Sequence, residues 1–476
     1  MSLIRKIAVN NMILITERLL TAAAGFFVSV WLIRHFGSEK FGIYSLVFAW
    51  FTFLNVFTPP MIEQVVAREA VRFPDQMRKY LGAGLAIKLG LALLGWIAGM
   101  VAAWLLGYER QTLVYLAVVL LGLLGNACYV LQVPHSIELK LMKPALADGA
   151  SNLFYQAGRA VMVALKFGLM PFFWLYLVFR MLQLVFFFLL GLEKKEYRPD
   201  WRFSYREVEE IFRASWTLLA INVFVMIISR IDQLLIWPIW GARAVGLYGS
   251  CANLTDYIVV IPAVWYTTVF PLITKFLGES NENFAKANHY SFKYLAVTSG
   301  LIFLGLAGFS REVLVRLFGP DYAEAAGALF WLSGFIVLSF IQIGLFSAAL
   351  SRNLEKPWLL VNGAGAFANV ALNLALIPRY GIAGAGFATF AAFVVQIFLT
   401  GALSLFRPDF KTMLSATARP IALAIAGVAA ARYFDLKLFI WLPVLTIIYT
   451  AMLFITGAIS GKDLKLFLSA LKPGDQ

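Results

Sequence analysis

Gly37-Ser38-Glu39-Lys40-Phe41-Gly42-Ile43-Tyr44 returns as Gly241-Ala242-Arg243-Ala244-Val245-Gly246-Leu247-Tyr248, 204 residues further along a chain of 476. Each copy stands in a short turn between the first two apolar runs of a set. Lys143-Pro144, at the head of the fifth run, likewise returns as Lys356-Pro357 at the head of the eleventh. Self-similarity at a long fixed spacing marks a duplicated structural unit. Both units begin on the same side and run in the same direction, as parallel repeats do.

Composition says what the runs are. Hydrophobic residues make up 61% of the chain and charged residues 14%, and mean hydropathy is +0.79. A soluble domain carries about 25% charge and about 45–50% apolar residues, so a soluble enzyme, a nucleic-acid binder and a secreted disulfide scaffold are excluded. Spans of ~20 residues are long enough to cross a bilayer. Fourteen are expected, at roughly 9–34, 41–61, 80–106, 111–133, 145–166, 171–191, 214–237, 245–274, 291–309, 326–350, 357–378, 383–406, 419–434 and 438–459. The fold class is therefore an all-α polytopic membrane protein, with two six-helix parallel repeats and two further helices. Three segments follow: 1–207, a first lobe with its connector; 208–406, a second lobe; and 407–476, two additional helices and a tail.

The net charge of +14 is read as an address. With the N-terminus in the cytoplasm, 25 of the 40 Lys and Arg fall on inner segments and 10 on outer loops. That bias places both termini in the cytoplasm. Arg5 and Lys6 before an apolar run imitate a signal peptide, but Asn10, Asn11, Glu17 and Arg18 interrupt it, so a retained first helix is expected. Segment 192–213 reads as a solvated amphipathic connector. Cys128 and Cys251 lie inside spans without CxxC or metal spacing, and packing is their expected role. His35, His135 and His289 show neither metal nor triad spacing, so no metal and no catalytic residue are expected. No Walker-type motif occurs either.

The remaining five cations, Arg18, Lys88, Arg159, Arg180 and Arg230, lie within spans. Charge there costs at least ~2.5–3.5 kcal/mol on insertion scales, which makes each a functional candidate. In the fifth helix Asp148, Ser151, Asn152, Tyr155 and Arg159 form one polar face. The eighth carries Gly249, Ser250, Asn253, Asp256 and Tyr257, and in the seventh Arg230 and Asp232 flank a stripe of Asn222, Ser229 and Gln233. At an offset of 214, Asp148, Tyr155 and Arg159 correspond to Asn362, Asn369 and Asn373, so the same face is charged in one half and amide in the other. Substrate-binding candidates are Arg18, Lys88, Arg159, Arg180, Arg230, Asn152, Tyr155, Asn369 and Asn373; arginine's planar donors suit phosphate oxygens. Simpler roles compete: Lys88 could snorkel, Arg230 could pair with Asp232, and Asp148 could serve a helix dipole. Asp256, Asp232, Glu17 and Asp148 are the candidate coupling acids for H+ or Na+. An acid paired with Arg230 is the poorer choice, which favours Asp256. Pro59-Pro60 forces either a kink or the end of the second helix, and Pro262 is a hinge candidate inside the eighth. Gly381-Ile382-Ala383-Gly384-Ala385-Gly386 has no Lys-Ser/Thr after it and reads as a tight turn.

Several stretches resemble the polysaccharide (O-antigen-type) flippases of the multidrug/oligosaccharidyl-lipid/polysaccharide exporter superfamily. They are Phe318-Gly319-Pro320-Asp321-Tyr322, Asn369-Val370-Ala371-Leu372-Asn373, Ile377 through Ala385, Ser229-Arg230-Ile231-Asp232, and Arg34-His35-Phe36-Gly37 before Phe41-Gly42-Ile43-Tyr44. The resemblance implies alternating access to a central cavity and an undecaprenyl-diphosphate-linked oligosaccharide as cargo. It also implies a bacterial inner-membrane location, membrane lipids and polysaccharide polymerase machinery as partners, a monomer, and no cofactor beyond the coupling ion. The two helices after Arg407 resemble the lipid II flippases instead. A lipid II-type flippase and an ion-coupled multidrug exporter are the alternatives; an enzyme is the weakest reading.

Overall fold

The computed structural model describes residues 3–140 and 142–459, with side chains from Thr16 onward. The expected polar positions Asn10 and Asn11, and the tail beyond residue 459, lie outside that description. Among the described residues there are helices and turns and no strand. Ten helices among the described residues are long and apolar enough to cross a membrane. Three of them, Thr16–Arg72, Tyr205–Glu279 and Glu355–Ala402, pass through Gly37, Gly241 and Gly381. Those glycines have φ of 67°, 72° and 56°, where a side chain would be strained, so each long helix is two helices joined at a glycine. The Gly381 stretch is thus a turn. With Met142–Ala164 the arrangement is compatible with fourteen crossings.

We number these helices α1 (3–36), α2 (38–72), α3 (Met77–Leu105), α4 (Arg110–Ile137), α5 (Met142–Ala164), α6 (Leu169–Leu192), α7 (205–240), α8 (242–279), α9 (Asn281–Gly308), α10 (Ala326–Ser351), α11 (355–380), α12 (382–402), α13 (Arg407–Tyr433) and α14 (Leu438–Ile455). Pro59-Pro60 breaks α2 without ending it. A 3-10 turn at Asn55–Phe57 precedes the prolines, and the helix resumes at Met61–Arg72. The polar groups at the break are satisfied within the bundle: Thr58 Oγ1 donates to Asn55 Oδ1 at 2.8 Å, and Asn126 of α4 donates to both residues. At Pro262 α8 continues without a non-helical residue.

The chain forms two compact units, Met1–Tyr257 with Gly365–Ile382, and Ile258–Ala364 with Ala383–Gln476. In the first, α2 and α8 meet backbone to backbone. A β-carbon on Gly42 would overlap the carbonyl oxygen of Ala242, and one on Gly246 would overlap that of Ser38. These are equivalent positions in the two copies of the repeat, so the duplication seen in the sequence is a symmetric crossing in space. Segment 193–204 is mostly exposed, as expected of a solvated connector, and is also strapped to α3, α5 and the residues just after α4. Asp200 N–H donates to Arg78 O at 2.8 Å, and Gly82 leaves room for the Asp200 carbonyl. Lys194 and Tyr197 both donate to Glu138. Hydrogen bonds from Lys140, Lys194 and Tyr197 hold the Glu138 carboxyl down at about 2. Ile211, at the start of α7, is buried with Ile62, Val66, Leu81 and Val130. The apolar periodicity of 205–214 therefore serves a docking face.

In the second unit, α13 and α14 pack on α9 through small residues. Gly300 lies under Tyr449 and beside Ala424, and Gly308 lies beside Ala431. Leu304, Ala307, Val428 and Leu453 complete that core. A buried polar contact recurs in both units. Gln183 of α6 donates to Asp148 of α5, and Gln396 of α12 faces Asn362 of α11 at 3.5 Å.

Candidate functional site

The first unit contains a cavity of about 250 Å3, lined by residues of α1, α2, α5, α6, α7 and α8. Its wall is mixed in the way an amphiphilic ligand requires. Phe41, Phe48, Tyr155 and Tyr176 supply flat apolar faces; Gln156, Gln233 and Asn253 supply amides; Arg159, Arg230 and Asp256 supply charge. The helical periods explain the set. On α5, Tyr155, Gln156 and Arg159 are neighbours at i, i+1 and i+4, and on α8 Gly249, Asn253, Asp256 and Tyr257 line one face.

Arg159 is buried, 5% exposed. Its NH2 donates to Ser29 Oγ at 3.1 Å and its NH1 to Gln156 Oε1 at 2.8 Å, with the Tyr155 ring 5.4 Å from its carbon. Ser29 Oγ also meets Tyr257 Oη at 2.9 Å. Gly25, one turn earlier on α1, makes that meeting possible, since a β-carbon there would lie 2.9 Å from Tyr257 Oη. Arg230 donates from NH2 to Asp256 Oδ2 at 2.7 Å. The Nε–H of each arginine is buried and has no acceptor. Two under-used guanidiniums lining one cavity, with a single lining carboxylate engaged by one of them, are suited to an anion with several oxygens.

The other candidates are placed elsewhere. Lys88 does not snorkel: it is 1% exposed and paired with Glu63, in the second segment of α2. Arg180 is enclosed among α4 and α6, donating to Gly122 O at 3.2 Å and Gln183 Oε1 at 2.6 Å, beside the rings of Phe51, Tyr176 and Phe179. Asp148 accepts from Tyr129 and Gln183 and so faces α4 and α6, not the cavity. Arg18 is exposed and Asn152 half-buried, its amide donating to Asp148 O at 3.1 Å; neither is a lining residue. Glu17 packs against Gly149 of α5. Asn369 and Asn373 are fully buried on α11 and joined at 3.1 Å.

The simpler role of pairing with Asp232 was open to Arg230; the carboxylate it hydrogen-bonds is Asp256 of α8, while Asp232 accepts from Tyr248 and from the Gln233 N–H. By the criterion that an acid paired with arginine is a poor ion carrier, Asp256 loses first place among the coupling acids. Among the residues that escaped the sequence reading are Ser29, Gln156, Tyr176 and Glu63. Gln156 stood three residues before Arg159, a helical neighbour of a marked position. Glu63 was hidden behind the prolines, where the helix was expected to end.

Comparison with known proteins places the chain. A family described as polysaccharide biosynthesis protein matches residues 7–277, more than half of the sequence. A probable low-salt glycan biosynthesis flippase, Agl15 of Haloferax volcanii, is 23% identical over 201 residues, 41% of this chain and 42% of that protein. The chain thus spans about two fifths of the length of this curated relative. In three dimensions it is similar to a lipid II flippase, MurJ, in an inward closed conformation, with a TM-score of 0.71, 13% identity, and coverage of 95% of this chain and 99% of that one. An inward-facing multidrug resistance transporter of the MATE family gives a TM-score of 0.64 at 14% identity, covering 89% and 99%. At these identities the structural likenesses establish the fold and nothing further. With its all-helical fold of membrane-spanning length and the match over residues 7–277, this chain belongs to the polysaccharide biosynthesis protein family.

Proposed function

We propose that this protein is a secondary-active flippase that carries an undecaprenyl-diphosphate-linked oligosaccharide from the inner to the outer leaflet of a bacterial cytoplasmic membrane, by alternating access, for O-antigen or another surface polysaccharide. One observation carries the reading: Arg159 and Arg230 face a single cavity, each with an Nε–H that lacks an acceptor. A diphosphate presents oxygens to both, and arginine's planar donors favour bidentate phosphate contacts. The amides and tyrosines beside them suit sugar hydroxyls and rings. An apolar groove of about 680 Å3 between α8 and α9, lined by Trp265, Leu272 and Tyr294 among others, offers a surface for a hydrocarbon chain.

A multidrug exporter for cationic drugs fits this wall poorly, since its charges are two cations and one acid. A lipid II-type cargo shares the diphosphate and is favoured by α13 and α14. The two cargoes part only at the sugars. With Asp256 engaged, Asp232 is the coupling acid we favour for H+ or Na+, ahead of Glu17 and Asp148; collapsing one gradient at a time decides the ion. The bias of Lys and Arg supports cytoplasmic termini. The protein is taken to work as a monomer beside the polymerase machinery. In proteoliposomes, Arg159→Ala and Arg230→Ala should each lower flipping of a polyprenyl-diphosphate oligosaccharide about tenfold to a hundredfold, the loss of one charge-assisted contact of ~1.5–3 kcal/mol. Full transport by either variant would refute this assignment.

A further inference from the structure

The two cavity arginines are held by consecutive residues of one helix. Asp256 of α8 takes Arg230 directly at 2.7 Å, and Tyr257 takes Arg159 through Ser29, at 2.9 Å and 3.1 Å. Neighbours on a helix point about 100° apart, so α8 reaches both sides of the cavity from one step of its backbone. Neither hold is saturating. The Asp256 carboxylate occupies one NH2 of Arg230 and leaves the Nε–H without an acceptor, and Arg159 also keeps an unpaired Nε–H. The Asp256 side chain is 48% exposed while Arg230 is 15% exposed. A pair as wet as this exchanges readily for a better acceptor, and a phosphate, with more charge and more oxygens, is one.

We propose that Asp256 is an internal stand-in for the anionic cargo: with Tyr257 it latches α8 across the cavity, and a diphosphate arriving between Arg159 and Arg230 displaces the carboxylate and releases the helix. Loading the site and freeing α8 are then one event, because a ligand moves an equilibrium only by contacts that differ between its states. Asp256 acts here as a competitor and positioning residue, and the cargo itself is held by the arginines. The inference rests on the diphosphate reading above.

The test uses the purified full-length protein with inorganic pyrophosphate as the probe. In the wild type, pyrophosphate should speed amide hydrogen exchange across residues 249–257. Asp256→Asn should bind pyrophosphate about twofold to fivefold more tightly, the ~0.4–1 kcal/mol of an exposed ion pair, and α8 should exchange fast without ligand. Asp256→Glu, which keeps the competitor, should behave as the wild type. A merely structural Asp256 would loosen α8 on substitution without tightening the ligand. Unchanged or weaker binding by Asp256→Asn therefore overturns the latch, and Asp256→Ser gives the same comparison if the asparagine variant does not fold. A wild type that binds no pyrophosphate removes the diphosphate reading and the latch with it.

Discussion

Lys88 and Arg180 carry the same charge as Arg159 and Arg230, and their neighbours separate the two pairs. Lys88 has Glu63, and Arg180 has a backbone carbonyl, Gln183 and three rings, and neither lines the cavity. The cost of burying a charge singled out all four in the sequence; what it could not supply was the partner. Periodicity gives the polar face of a helix but not which neighbour that face meets, and so Asp148 and Arg159, eleven residues apart on one stripe, look into different surroundings. The Lys88–Glu63 pair makes a stability prediction. Lys88→Met leaves a buried carboxylate alone and should destabilise the protein by ~3–5 kcal/mol. Lys88→Met with Glu63→Gln should recover most of that. Thermal unfolding in detergent measures both, and a double variant as unstable as the single one would show that the pair is not what matters there.

At the scale of elements, the Gly37 and Gly241 repeats were legible as turns, and the structure adds that Gly42 and Gly246 let α2 and α8 cross without side chains between them. The crossing lies about one turn beyond Ser45 and Gly249 of the cavity wall. Gly42→Ala with Gly246→Ala cannot keep it, so spin labels at Lys40 and Arg243 should move apart in the double variant; an unchanged distance would contradict a backbone-tight crossing. The connector was read only in part. Its six basic and six acidic residues suggested a solvated linker, and most of it is exposed, but composition does not reveal that Glu138 and Arg78 present partners to it. The depressed Glu138 carboxyl stabilises the strap above the ordinary carboxylate range, and that contribution is lost as pH falls from about 4.5 through about 2. Proteolysis between residues 193 and 204 by an acid-active protease should accelerate across that window and, at neutral pH, in Glu138→Gln. Equal cleavage of wild type and variant at neutral pH would count against the strap.

For the whole molecule, composition and the repeat carried the fold a long way. A chain this apolar, with runs of spanning length and a 204-residue echo, has few other ways to fold. The pairing of α8 residues with cavity arginines was beyond it, since that depends on how helices far apart in sequence come together. The most direct test of the account offers the reconstituted protein two glycolipids with the same oligosaccharide and the same polyprenyl chain, one joined through a diphosphate and one through an uncharged linkage, and follows their transfer between leaflets. The account predicts that the diphosphate lipid is moved, that its uncharged twin is not, and that inorganic pyrophosphate slows the transfer. Equal movement of both lipids, or of neither, would contradict it.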